Sequence, residues 1–133
     1  MNEDLQHLKL LSIFHYVVAG LTGLFSLLPV FHLVLFSVFL ADPEVQGEPL
    51  VRVMMGLMMA MIVAIIFAGL AFAACLAAAG RYLAQQRNYT FCLVIAAISC
   101  LLVPLGTVLG IFTILVLVRP SVKERFGVAP AGA

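Results

Sequence analysis

The sequence predicts an all-α membrane protein, a compact bundle of about four helices. Three observations carry that expectation. Of the 133 residues, 65% are hydrophobic and 10% charged, whereas soluble domains carry about 25% charged residues. So short a chain cannot bury that much apolar surface in a water-soluble core, and lipid has to be the solvent for most of it. The charges are confined to residues 3–9, 42–52, 81–87 and 119–125. Finally, the run 50–79, LVRVMMGLMMAMIVAIIFAGLAFAACLAAA, has no charge after Arg52, no proline and no amide side chain. About 20 apolar residues cross the hydrocarbon core as a helix, so this longer run spans with tilt or projects beyond one interface.

Residues 2–12, NEDLQHLKLLS, read as a helix start at the interface. Asn2 or Asp4 can cap it, and acids in the first turn suit the positive helix end. Leu5, Leu8 and Leu11 or Ser12 share one helical face, and Lys9 can reach headgroups along its apolar stem. The acidic MNEDLQHLK start and the length of the apolar run behind it are unlike a cleavable signal peptide.

Residues 10–41 form the first apolar segment. As one helix it would be about 48 Å long, against a hydrocarbon core of about 30 Å. Pro29 divides it, and a proline removes one helical hydrogen bond. The preferred reading is one long helix kinked at Leu28–Pro29; the alternative is a hairpin turning there. Ala19, Gly20 and Gly23 make a thin patch for a neighbouring helix.

Residues 42–49, DPEVQGEP, read as a helix-breaking loop. The second helix starts at Pro49 or Leu50, with proline in its tolerated first turn. Gly56, Ala60, Ala64 and Ala68 recur in it at four-residue steps, and Gly69, Ala73 and Ala77 lie on an adjoining ridge. Small residues at that spacing let two backbones approach closely. The partner is either another helix of the same chain or a second copy.

Residues 80–90, GRYLAQQRNYT, form the second connection, with Gly80 a candidate helix end and Tyr82 and Tyr89 suited to an interface. Residues 91–118 are the last apolar stretch, interrupted by Pro104 and Gly106. Loop 42–49 is acidic, whereas 80–90 and 119–125 are basic, and the positive-inside rule puts both basic segments in the cytoplasm. Residues 91–118 then enter and leave on one side as a hairpin of two short arms, 91–103 and 106–118, broken at Pro104–Gly106. A straight third span is the alternative. Gly106 and Gly110 are packing positions in the second arm. The whole of 1–126 reads as one transmembrane domain with N- and C-termini cytoplasmic, and 127–133 as a disordered tail. A faint echo between 27–43 and 102–120 would, as a true repeat, be a transporter-like feature.

Little chemistry is visible. His15 and His32 are the ionisable residues within apolar segments, where such residues are functional candidates. Too far apart along one helix to share a metal, they are weak candidates for binding a cofactor such as haem with help from another subunit. Met54, Met58 and Met61 share a face, but no histidine or cysteine joins them to make a soft-metal site. Cys75, Cys92 and Cys100 have no CxxC spacing and read as small apolar packing residues. There is no nucleophile–base pair, phosphate loop or paired carboxylates, so no catalytic residue, metal or cofactor is expected and the chain reads as a non-enzyme. No basic tract supports nucleic-acid binding. Arg81, Arg87, Arg119, Lys123 and Arg125 gather on the cytoplasmic side in this topology, facing anionic lipid headgroups.

The segment HLKLLSIFHYVVAGLTGLF, and still more YTFCLVIAAISCLLVPLGTVLGIFTILVLVRPSVKERF, resembles a group of small bacterial integral membrane proteins of unknown function. The shared pattern is YTFC (Tyr89 to Cys92), P-x-GT-x-LG (Pro104 to Gly110) and RPSVK (Arg119 to Lys123) with a final Phe126. It covers most of the chain except the outer loop. The resemblance implies the bacterial inner membrane and no catalytic activity. The leading functional expectation is a helical module that self-associates or docks on a larger membrane complex, with membrane lipid around it. An oligomeric channel or small transporter lined by the broken helices is the alternative, with Thr22, Ser26, Ser37, Ser99, Thr107 and Thr113 as its few polar lining residues. A haem- or quinone-associated membrane subunit is the third.

Overall fold

The computed structural model describes residues 2–101 and 104–128. The chain is an all-α bundle, and no strand occurs among the described residues. Helix α1 (Asn2–Leu27) opens with Glu3 and Asp4 in its first turn. Helix α2 (Pro29–Leu40) follows after Leu28, which itself keeps helical dihedrals (φ −55, ψ −41). At the joint, Leu28 N–H bonds to Phe25 O and Phe31 N–H to Leu28 O, both at 3.2 Å. These three-residue steps replace the bond that Pro29 cannot donate. The first apolar segment is thus one long helix kinked where the proline predicts, not a hairpin.

The loop after it is more ordered than its composition suggests. Pro43–Gly47 form a single-turn helix, α3, because the Asp42 carboxylate accepts from Glu44 N–H at 3.1 Å and Pro43 sits at the first helical position. The expectation that two prolines and a glycine break any helix there is corrected by this cap.

Helix α4 (Pro49–Gln85) is 37 residues long. Gly80 does not end it, which corrects the boundary at residue 79. The helix stops six residues later, where Gln86 takes a left-handed conformation (φ 55). Gln86 N–H bonds to Leu83 O at 3.3 Å and Arg87 N–H to Tyr82 O at 3.0 Å. That pair of bonds is the Schellman closure, which glycine usually provides. Asn88, also left-handed (φ 53), leads into α5 (Tyr89–Ser99).

Helices α5 and α6 (Leu105–Leu117) form an antiparallel hairpin. Tyr89 Oη, at the start of α5, donates to Leu117 O at the end of α6 at 3.1 Å. At the turn, Thr107 Oγ1 donates to Cys100 O at 2.8 Å. The break lies between Ser99 and Leu105, so Gly106 belongs inside α6, where it is buried. Gly110 makes the hairpin close: a Cβ there would stand 2.5 Å from Ala96 O, 3.0 Å from Cys100 N and too near Cys100 Sγ. A last short helix, α7 (Pro120–Arg125), follows the hairpin, with Pro120 at its first position. The 127–133 tail expectation falls mostly on residues 129–133, outside the described residues.

Backbone contacts divide the chain into two compact units: Met1–Gly20 with Ala74–Ala133, and Leu21–Ala73. We call them the hairpin unit and the loop unit. The hairpin unit has a core of Leu8, Leu11, Leu83, Cys92, Leu117 and Val122, with Tyr89 and Phe126 packed against it. The start of α1, the end of α4, the 86–88 turn and α7 therefore gather at one end of this unit. In the loop unit, α1 and α4 run antiparallel through a thin contact. A Cβ on Gly23 would lie 3.8 Å from Ala73 Cβ, and one on Gly69 would lie 2.9 Å from Ser26 Cβ and clash with its hydroxyl.

Among the described residues two helices are long and apolar enough to cross a membrane, Glu3–Leu40 taken through its kink and Pro49–Gln85. Their most apolar windows are 0% and 17% buried. A core helix of a soluble protein would be mostly buried, so these surfaces call for an apolar surrounding outside the chain.

Candidate functional site

The hairpin unit carries an open surface cavity of about 630 Å³, within the range of roughly 300–1,000 Å³ usual for ligand sites. Ala77, Ala78, Arg81, Tyr82 and Gln85 line it from one face of α4, at helical spacings of one, three and four. Tyr16 of α1 closes one side and Arg87 of the turn another. Two of the polar groups are placed by local devices. The Schellman closure fixes Arg87, and the Tyr82 ring stands edge-on to Phe91 at 5.5 Å between centroids. Gly80 lets α1 approach: a Cβ there would be 3.1 Å from both Ser12 O and His15 Cβ and 3.5 Å from the Tyr16 ring. Ser12 Oγ completes the crossing by donating to Gly80 O at 2.7 Å. Among the described residues no carboxylate pairs with Arg81 or Arg87.

The other basic residues sit differently. Arg119, itself exposed, is 3.9 Å from a half-buried Asp4, a long ion pair. Lys123 and Arg125 fall in the last turn of α7, where cations suit the helix dipole. The five expected headgroup ligands therefore separate into two that share a cavity and three that do not line it.

His15 is fully buried in the hairpin unit, as are Ser99 and Thr113, and Ser12 is nearly so. Its Nδ1–H donates to Leu11 O at 2.9 Å, and its Nε2 has no partner. His32, in the loop unit, is exposed and edge-on to Phe31 at 6.1 Å. Among the described residues no three of His, Cys, Asp or Glu come together. Four of the hydroxyls that could line a path are used up inside their own helices: Ser26, Ser37, Ser99 and Thr113 donate to backbone carbonyls at 2.7 Å. Thr107 is spent on the hairpin turn.

The small-residue ridges of α4 have opposite fates. Gly69 and Ala73 meet α1 within the loop unit. Gly56, Ala60, Ala64 and Ala68 are all exposed, and a Cβ on Gly56 would meet nothing within 4 Å. On α1, Ala19 is buried and Gly23 packs, while Gly20 faces open space.

Sequence reasoning missed Tyr16 and Gln85 as cavity residues, and it missed the Ser12–Gly80 crossing. The available signal was a glycine one residue before an arginine in an otherwise unbroken helical pattern. Comparison of the chain with family models, with curated proteins and with solved structures yields no match.

Proposed function

We propose that this chain is a multi-pass protein of the bacterial inner membrane that works without catalysis, as a helical module that self-associates or docks on a larger membrane complex. The observation that carries the reading is the exposure of Gly56, Ala60, Ala64 and Ala68. Four small residues along one ridge give a backbone-to-backbone contact surface, and no helix of the chain occupies it at Gly56. In the loop unit only Ile66 is buried among the described residues. Lipid can cover the bulky exposed side chains, Leu57, Met58 and Phe67 among them. The small ridge offers lipid little and a second helix much.

Charge supports an orientation. Asp42, Glu44 and Glu48 mark the outer loop, and the basic residues of the 81–87 and 119–125 segments mark the cytoplasmic side. The gathering of the α1 start, the 86–88 turn and α7 at one end of the hairpin unit is consistent with N- and C-termini on that same side. The hairpin arms, 11 and 13 residues, measure about 17 and 20 Å, short of the roughly 30 Å core, so they enter and return.

Native mass spectrometry from a mild detergent tests the association. The expected result is a defined multimer that Ala60→Leu/Ala64→Leu converts to monomer with helix content unchanged. A monomeric parent, or a multimer indifferent to both substitutions, rejects the ridge as the contact. The broken helix between α5 and α6 favours the oligomeric channel as a second reading, but the serine and threonine hydroxyls committed to backbone carbonyls leave it few groups to line a path. Absence of ion flux in liposomes rejects it.

A further inference from the structure

We infer that the cavity between Tyr16, Arg81 and Arg87 is a binding site for the phosphodiester headgroup of an anionic phospholipid. It straddles the point where α4 changes character. Ala77 and Ala78 end the apolar run, and Arg81, Gln85 and Arg87 follow it. A ligand that satisfies both ends carries a negative head and an apolar body. The head meets two guanidinium groups that no carboxylate of the described residues neutralises. Guanidinium presents paired N–H donors that match phosphate oxygens. The Gln85 amide and the Tyr16 and Tyr82 hydroxyls can donate to the remaining oxygens. Tyrosine also belongs at the depth of headgroups. Basic pockets between membrane helices bind anionic headgroups by this combination of charge and shape. A free phosphate would use the same arginines, but it would leave the alanine floor without a partner.

The site rests on the membrane placement proposed above but not on self-association, since all seven lining residues lie in the hairpin unit of one chain. Arg81, Gln85 and Arg87 are exposed, so their side chains can change without disturbing the core.

The test uses the full chain in nanodiscs and in mild detergent. Lipid retained on the protein is counted by native mass spectrometry, and affinity is measured by titrating phosphatidylglycerol, phosphatidylcholine or inorganic phosphate. The expected result is a phosphatidylglycerol preference of at least tenfold over phosphatidylcholine. Arg81→Gln/Arg87→Gln should abolish it, Arg81→Lys/Arg87→Lys should keep part of it, and Lys123→Gln should leave it intact. Should the double glutamine variant lose helix content, single Arg87→Gln carries the test, because the backbone bond that closes the turn does not involve that side chain. Equal affinity for the two lipids, or an unchanged preference in the glutamine variants, overturns the site. Inorganic phosphate competing as well as the lipid overturns its assignment to lipid. A chain that fails to enter nanodiscs at all refutes the membrane placement instead, and the two failures are told apart by that step.

Discussion

The two units are built from the same two long helices, yet they bury very different things. The hairpin unit encloses leucines, a histidine and three hydroxyl side chains, and its Gly80 and Gly110 are pressed against neighbours. The loop unit has Ile66 as its one buried residue among those described, and α2 buries none. Composition does not explain the contrast, because both units are apolar. What differs is the number of helices available: α5, α6 and α7 join only the first. Two helices cannot surround a side chain; four or five can. Burial in this protein is therefore a property of neighbours rather than of hydrophobicity.

The sharpest way to break that comparison is one leucine-to-alanine change in each unit. Leu83→Ala, at 0% exposure, should lower unfolding stability in detergent by about 2–5 kcal/mol through lost contacts and a cavity. Leu57→Ala, at 68% exposure, should change it by no more than about 0.5 kcal/mol. Similar losses at both sites would mean that the loop unit has a core after all.

Glycines extend the contrast. Gly110→Ala has to move the α5 backbone and should cost roughly 1–3 kcal/mol, read as a lower melting temperature. Gly80→Ala meets Ser12 O and His15 Cβ at 3.1 Å and should cost less, with partial loss of the Ser12 hydrogen bond. Gly56→Ala meets nothing, and alanine is the better helix former, so the monomer should gain up to about 1 kcal/mol. A destabilised Gly56→Ala monomer would show that the exposed ridge is engaged within the chain. A small gain is expected of Gln86→Gly. A left-handed residue with a side chain costs about 1–2 kcal/mol, partly offset by the greater flexibility of glycine when unfolded, so a net gain of roughly 0.5 kcal/mol should appear in denaturant titration.

The elements most readable from sequence were those set by one local cause. Pro29 announces a kink, and Pro104 with Gly106 announces a broken stretch that returns. Helix ends were harder. Gly80 looks like a stop, but its missing side chain serves the approach of α1, and the true stop is a glutamine in a glycine's role. Asp42 and Pro43 make a helical turn where composition argues for none. The ridges of α4 show the limit most clearly. Periodicity finds both, but which one meets α1 depends on the rotation of the helix, which only the whole packing decides. The cavity was half legible: Arg81, Arg87 and Tyr82 stood out by charge and interface chemistry, whereas Tyr16 and Gln85 join them through a crossing at long range in sequence.

The turn between α5 and α6 has a consequence for the order of biogenesis. In a bilayer, arms this short leave the turn at a depth where backbone carbonyls find no water. Thr107 already serves as internal donor to the Cys100 carbonyl. On the proposed membrane placement the long helices would enter the membrane independently as they leave the ribosome. On the same placement a hairpin this short would settle after the long helices, because a turn at that depth needs a protein wall.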